Sequence, residues 1–194
     1  MSARRRHLLG VGAVGLVLLG AATVLDGWLP DDEADPGADP FLRAAAVGEP
    51  VDLRTMTVQV DSVRGSATIS EYGTEKHSPG VWVVVEFTVV ATSENTSVSY
   101  AELRDDDDRV WSVSGRSANN CPAGPPGVPV GCVAYFEVPP GAVTDLRMWL
   151  AQDGFELRYD AVADVDLELS EADVDRFAEA PVLEVPGTWL GERP

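Results

Sequence analysis

Gly80-Val81-Trp82-Val83-Val84-Val85-Glu86-Phe87-Thr88-Val89 has Val or Phe at every odd position, with Glu86 and Thr88 on the even ones. An extended chain sends successive side chains to opposite faces, so Val81, Val83, Val85, Phe87 and Val89 are expected to point into a core. The same period of two recurs along the chain. Met56, Val58 and Val60 form one row, and Ala134, Phe136 and Val138 alternate with Val133, Tyr135 and Glu137. Leu146, Met148 and Leu150 alternate with Arg147 and Trp149, and Val165, Leu167 and Leu169 interleave with Asp164, Asp166 and Glu168. Clusters of turn residues separate these runs: Arg64-Gly65-Ser66, Ser78-Pro79-Gly80, Thr92–Asn95, Asp105–Asp108, Pro139-Pro140-Gly141 and Asp153-Gly154. Short alternating strands at this spacing predict an all-β, antiparallel β-sandwich over residues 51–180. One short helix is expected near its end. Ser170 and Asp173 make a capping-box pattern ahead of Val174 and Phe177, and Pro181 closes the segment. The tail 181–194 either adds a last strand through Val182 and Val185 or runs over the surface.

The chain has 194 residues, enough for one globular domain with appendages, and its 45% apolar content is ample for a core. With 14 Lys or Arg against 32 Asp or Glu the formal charge is −18. An acidic surface without basic clusters repels phosphate backbones, which excludes nucleic acid as a partner. Two His and two Cys leave little material for metal or triad chemistry, and no cofactor is expected.

The N-terminus reads as an address. Arg4, Arg5 and Arg6 precede the uncharged run Leu8–Leu25, which at about 1.5 Å per residue spans roughly 27 Å, close to the hydrocarbon thickness of a bilayer. Residues 1–29 are therefore expected to form cytoplasmic arginines and one transmembrane signal-anchor helix, with the rest of the chain outside the cell membrane. The alternative is a secreted protein released by cleavage after Ala22, where Gly20 and Ala22 supply the small residues of a signal-peptidase site. Residues 30–50 carry four prolines and six acidic residues and read as an extended acidic stalk.

The order Gly80 to Val89, then Leu103-Arg104-Asp105 through Arg109-Val110-Trp111, then Gly131-Cys132-Val133-Ala134-Tyr135-Phe136-Glu137-Val138-Pro139 is distinctive. It resembles a family of immunoglobulin-like extracytoplasmic domains of unknown function, found in membrane-anchored proteins and lipoproteins of Gram-positive bacteria. The resemblance covers about residues 51–152 and rests on framework positions. It implies an immunoglobulin-like sandwich on the outer face of the membrane, sometimes associated with transport or envelope machinery, and it brings no catalytic residues. Cys121 and Cys132 depart from the family pattern.

Those two cysteines bracket a loop rich in Pro and Gly, and exactly two in an exported domain predict one disulfide. Asp105, Asp106, Asp107 and Asp108 form the densest carboxylate cluster. Calcium takes six to eight oxygens, and such a turn would supply a few of them, but adjacent aspartates in a hairpin point different ways and the EF-hand spacing is missing. A solvated turn is the expectation there, and an ordinary surface residue is the expectation for His77. Trp82, Tyr135 and Trp149 fall on faces opposite the core rows. If those faces are open they make a partner-binding patch, and if the helix or the tail covers them they do not. The expected function is thus a non-enzymatic, membrane-anchored interaction module with a protein partner, accessory to an envelope or transport complex. The alternative is an exported small-ligand- or calcium-binding module.

Overall fold

The computed structural model describes residues 39–116, 121–154, 157 and 160–191. The expected transmembrane helix and the stalk up to residue 38 lie outside the described residues. Among the described residues no helix is long and apolar enough to cross a membrane.

The period-two runs become strands of two sheets. β1 (Phe41–Ala46), β5 (Tyr100–Arg104), β6 (Val110–Ser112), β8 (Arg147–Ala151) and β9 (Ala161–Asp166) form a five-stranded sheet in the order β1-β9-β8-β5-β6. β3 (Met56–Glu71), β4 (Thr74–Ala91) and β7 (Pro129–Val138) form the centre of a six-stranded sheet. Its edges carry β2 (Pro50–Asp52), β10 (Leu183–Glu184) and β11 (Trp189–Leu190). The rows predicted to point inward meet between the sheets. Val58, Val60, Val83, Val85, Phe87 and Phe136 pack in one cluster with Leu103, Met148, Leu150 and Val165, so the core is built as the alternation requires.

Three expectations are corrected. The acidic stalk does not extend to residue 50, because Phe41–Ala46 is a strand paired over six residues with β9. Its Ala45 joins the core, and the sandwich begins ten residues earlier than the composition suggests. The sheets are also not purely antiparallel: β1 runs parallel to β9, and β10 parallel to β3.

Third, Arg64-Gly65-Ser66 and Ser78-Pro79-Gly80 are not reversals. Both lie inside one long ribbon, the 16-residue β3 paired with the 18-residue β4, whose true turn is Tyr72-Gly73. The pairing passes from Ser66↔Trp82 to Thr68↔His77, so Ala67 faces four residues of β4. Pro79, which has no N–H to donate, sits within that irregularity. The hydroxyls of Ser66 and Ser78 accept the N–H groups of Thr68 and Gly80, both at 3.1 Å, replacing bonds the ladder cannot make. Gly65 serves packing rather than turning. A Cβ there would lie 2.3 Å from the ring of Phe177.

Of the two readings of the tail, the added strand is the one found, at Leu183–Glu184, with a second at Trp189–Leu190. Leu183–Glu184 pairs with Ile69 and Ser70, and Trp189–Leu190 pairs with Val130 and Gly131. The expected helix is α1 (Glu171–Glu179), with the reciprocal Ser170–Asp173 capping box in place and Phe177 buried.

Candidate functional site

The interest of the molecule lies on the outer faces of the two sheets, where the interleaved residues of each strand point. Trp82, Tyr135 and Trp149 do not form one patch. Trp82 and Tyr135 belong to the six-stranded sheet and Trp149 to the five-stranded one.

On the six-stranded sheet the outer row is apolar and covered. Trp82, Val84, Val133 and Tyr135 are buried in a second cluster with Ile69, and Leu183 and Val185 of the tail pack against it. Ile69 comes from beyond the irregularity in the ribbon, so the distal hairpin and the tail together close this face. The indole N–H of Trp82 donates to the Lys76 carbonyl at 2.9 Å, and the Arg116 guanidinium lies 5.3 Å from its ring centroid. Burial pushes the Tyr135 phenol far above its ordinary value, and the negative charges of Glu71, Tyr72 and Glu86 push the same way. Trp82 and Tyr135 are therefore a second core and not a partner face. The interleaving alone does not reveal this, because the cover comes from the end of the chain.

On the five-stranded sheet the outer row is charged, half-buried and internally paired. Cross-strand register sets Glu102 beside Trp149 and Trp149 beside Asp164, with Arg104, Arg147 and Asp166 in the next row. The Arg104 guanidinium stacks on the Trp149 ring at 3.8 Å from its centroid, and the indole N–H donates to Asp164 Oδ1 at 3.0 Å. Arg147 grips Asp164 with two bonds of 2.7 and 2.8 Å, an interaction that raises its own already high pKa. Tyr100 donates to Glu102 Oε2 at 2.5 Å. Burial raises the Tyr100 phenol above its usual value, the Glu102 hydrogen bond and charge raise it further, and Arg104 opposes both. The Nε of Arg104 is buried with no hydrogen-bond partner among the described residues. Of this constellation only Trp149 stands out as a site candidate in the sequence. The signal was there in the charged residues alternating with Ala101, Leu103, Met148 and Leu150, but assembling it needs the strand register.

The other sequence-derived candidates resolve into structural roles. Cys121 and Cys132 form the expected disulfide, with Cα atoms 4.6 Å apart. It ties the loop, also pinned by the Thr96–Gly124 bridge, to a core strand, a closure of about 3 kcal/mol on the chain-entropy model. Asp105 turns inward: its carboxylate accepts the backbone N–H groups of Asp107 and Arg109 at 3.1 and 2.9 Å and the Arg109 Nε at 2.6 Å. Desolvation opposes ionisation of Asp105, but the bonds and charge of Arg109 outweigh it and hold the carboxyl below its ordinary value. Asp106, Asp107 and Asp108 are exposed, and among the described residues no group of three or more His, Cys, Asp or Glu is arranged to hold a metal ion. His77 is exposed on β4 with its Nδ1 3.2 Å from the Thr68 hydroxyl. An open cleft of about 300 Å³ is lined by Ser78–Gly80 and Glu137–Pro140. Glu137 on its wall is engaged by Ser114 at 2.8 Å and Arg116 at 2.9 Å.

No protein-family model and no curated protein matches the chain. Two crystal structures are similar to it. The yjhA protein from Bacillus subtilis is 17% identical with a TM-score of 0.46, over 62% of this chain and 99% of that one. An uncharacterized β-sandwich protein from Clostridium difficile 630 is 12% identical with a TM-score of 0.43, over 65% of this chain and 95% of that one.

Proposed function

We propose that this protein is a membrane-anchored, extracytoplasmic, immunoglobulin-like interaction module, accessory to an envelope or transport complex, that meets a protein partner with the outer face of its five-stranded sheet. One observation carries the choice of face. Trp149 is half-buried between the Arg104 guanidinium and the Asp164 carboxylate, and Trp and Arg are the residue types that dominate binding energy at protein interfaces. Their side chains are already ordered by neighbours in the sheet, so little rotamer freedom is left to lose on contact. The anchor and the outside location are supported by Arg4–Arg6 followed by the apolar run Leu8–Leu25.

The test is co-purification of the tagged full-length protein from its own membranes in mild detergent, in wild-type form and as Trp149→Ala. A stoichiometric membrane protein that accompanies the wild type and is lost from the folded variant is the expected result. Recovery of the protein alone, or a partner retained equally by the variant, overturns the reading.

A further inference from the structure

The reversal between β3 and β4 is a two-residue hairpin loop, with Glu71 paired to Thr74 and both central residues in the left-handed region, Tyr72 at φ 50° and Gly73 at φ 76°. Such loops favour Asn, Asp or Gly at the first position, because a short polar side chain or no side chain tolerates that backbone. Tyrosine does neither. Two other non-glycine residues with positive φ, Arg54 and Glu168, have their N–H groups held by the carboxylates of Asp52 and Asp166. Tyr72 has no such tether among the described residues. Packing does not explain it either, since Tyr72 is 84% exposed, the highest value among the exposed large apolar side chains. A strained residue that serves neither local conformation nor the core points to what its side chain presents.

What it stands on is rigid. Lys76 is bonded to Glu71 and donates to the Arg116 carbonyl at 2.6 Å, and its own carbonyl accepts the Trp82 indole. Arg116 in turn binds the His77 carbonyl at 3.0 Å and Glu137 at 2.9 Å. A braced hairpin leaves little backbone freedom to be lost on docking, which favours an aromatic at its tip as an anchor residue. We propose that Tyr72 is an anchor that inserts into an apolar pocket of a protein partner, a pocket rimmed by Lys or Arg to match the exposed Glu75 beside the turn and the −18 charge of the chain. This rests on the interaction reading above for the existence of a protein partner, and it assigns a second contact separate from the Trp149 face.

The experiment places the photo-reactive residue p-benzoylphenylalanine at position 72, and separately at position 149, in the full-length chain in its own membrane. One discrete adduct from position 72 is expected, mapping to an apolar surface with Lys or Arg at its margin. Tyr72→Asn is then expected to melt higher by about 2–4 °C, as relief of the backbone allows, yet to bind the cross-linked partner at least tenfold more weakly. An adduct from position 149 but none from 72, or one from 72 to lipid or to a second copy, overturns this proposal and leaves the first reading standing. Silence at both positions overturns both. Unchanged binding by Tyr72→Asn, or a lower melting temperature, also overturns it.

Discussion

The two outer faces of the sandwich each carry a tryptophan interleaved between core residues, and they end in opposite states. Trp82 has Val84, Val133 and Tyr135 as its companions, and that face is roofed by Ile69, Leu183 and Val185. Trp149 has Glu102, Asp164, Arg104 and Arg147 as companions, and its face stays half-open with its charges paired among themselves. An apolar row gains only by being taken out of water, so it recruits whatever chain remains. A row of matched charges is satisfied where it stands. The lesson is that the cross-strand neighbours of an aromatic, more than its own alternation, decide whether it belongs to a core or to a surface.

Several substitutions break or sharpen this contrast. The largest effect is expected from Trp82→Ala, which empties a fully buried site and removes the indole donor to the Lys76 carbonyl; loss of about 3–5 kcal/mol of unfolding free energy should appear in urea titration. Ending the chain at Ala180 removes Leu183, Val185 and Trp189 and uncovers the second cluster. About 2 kcal/mol should go, given that the deleted apolar side chains are only partly buried, and the truncated protein should bind a hydrophobic dye that the full chain does not. Trp149→Ala should cost only about 1.5 kcal/mol, the sum of one cation–π contact and one hydrogen bond. If its cost matched that of Trp82→Ala, the contrast between the faces would be wrong.

The smallest effect concerns acid. Asp105 is held below its usual pKa as described, and Asp173 is likewise lowered, first by the Ser170 backbone N–H and then by the Ser170 hydroxyl and Arg176, against some desolvation. A carboxyl with a depressed folded pKa contributes stability at pH above its unfolded value, about 3.9 for Asp, and loses it as pH falls through the lower folded value. Thermal melts of wild type should therefore show no pH dependence from these two groups between about pH 5 and 7, where their contribution is complete, and a decline below that. Asp105→Asn should be less stable at neutral pH and flatter on the acid side.

Much of this was legible in the sequence. Local rules sufficed for the inward rows, the helix with its Ser170–Asp173 box, the hairpin around Asp105–Asp108 and the disulfide. They failed wherever a distant segment settled the matter. Gly65 reads as a turn glycine until Phe177, over a hundred residues later, is found against it. Phe41–Ala46 reads as stalk because its partner, Ala161–Asp166, lies at the other end of the domain. The Trp149 face was half-visible, since Arg104, Arg147 and Asp164 all alternate with core residues. Their convergence depends on register between β5, β8 and β9, which no single segment encodes.

The place of Leu183–Leu190 in the chain has a consequence for synthesis and export. These residues are made after every other strand of the sandwich, yet they close the cover over Trp82 and Tyr135 and cap both edges of the six-stranded sheet. Gly131 is shaped for that arrival, since a Cβ there would lie 2.0 Å from the Trp189 indole nitrogen. Until residues 183–190 emerge, a nascent domain shows an oily patch and unpaired strand edges, both of which invite aggregation. Emergence of this segment is therefore also the moment at which the sandwich becomes safe to leave uncovered, and a chain stopped just before it would be felt as a sticky product rather than a slightly shorter one.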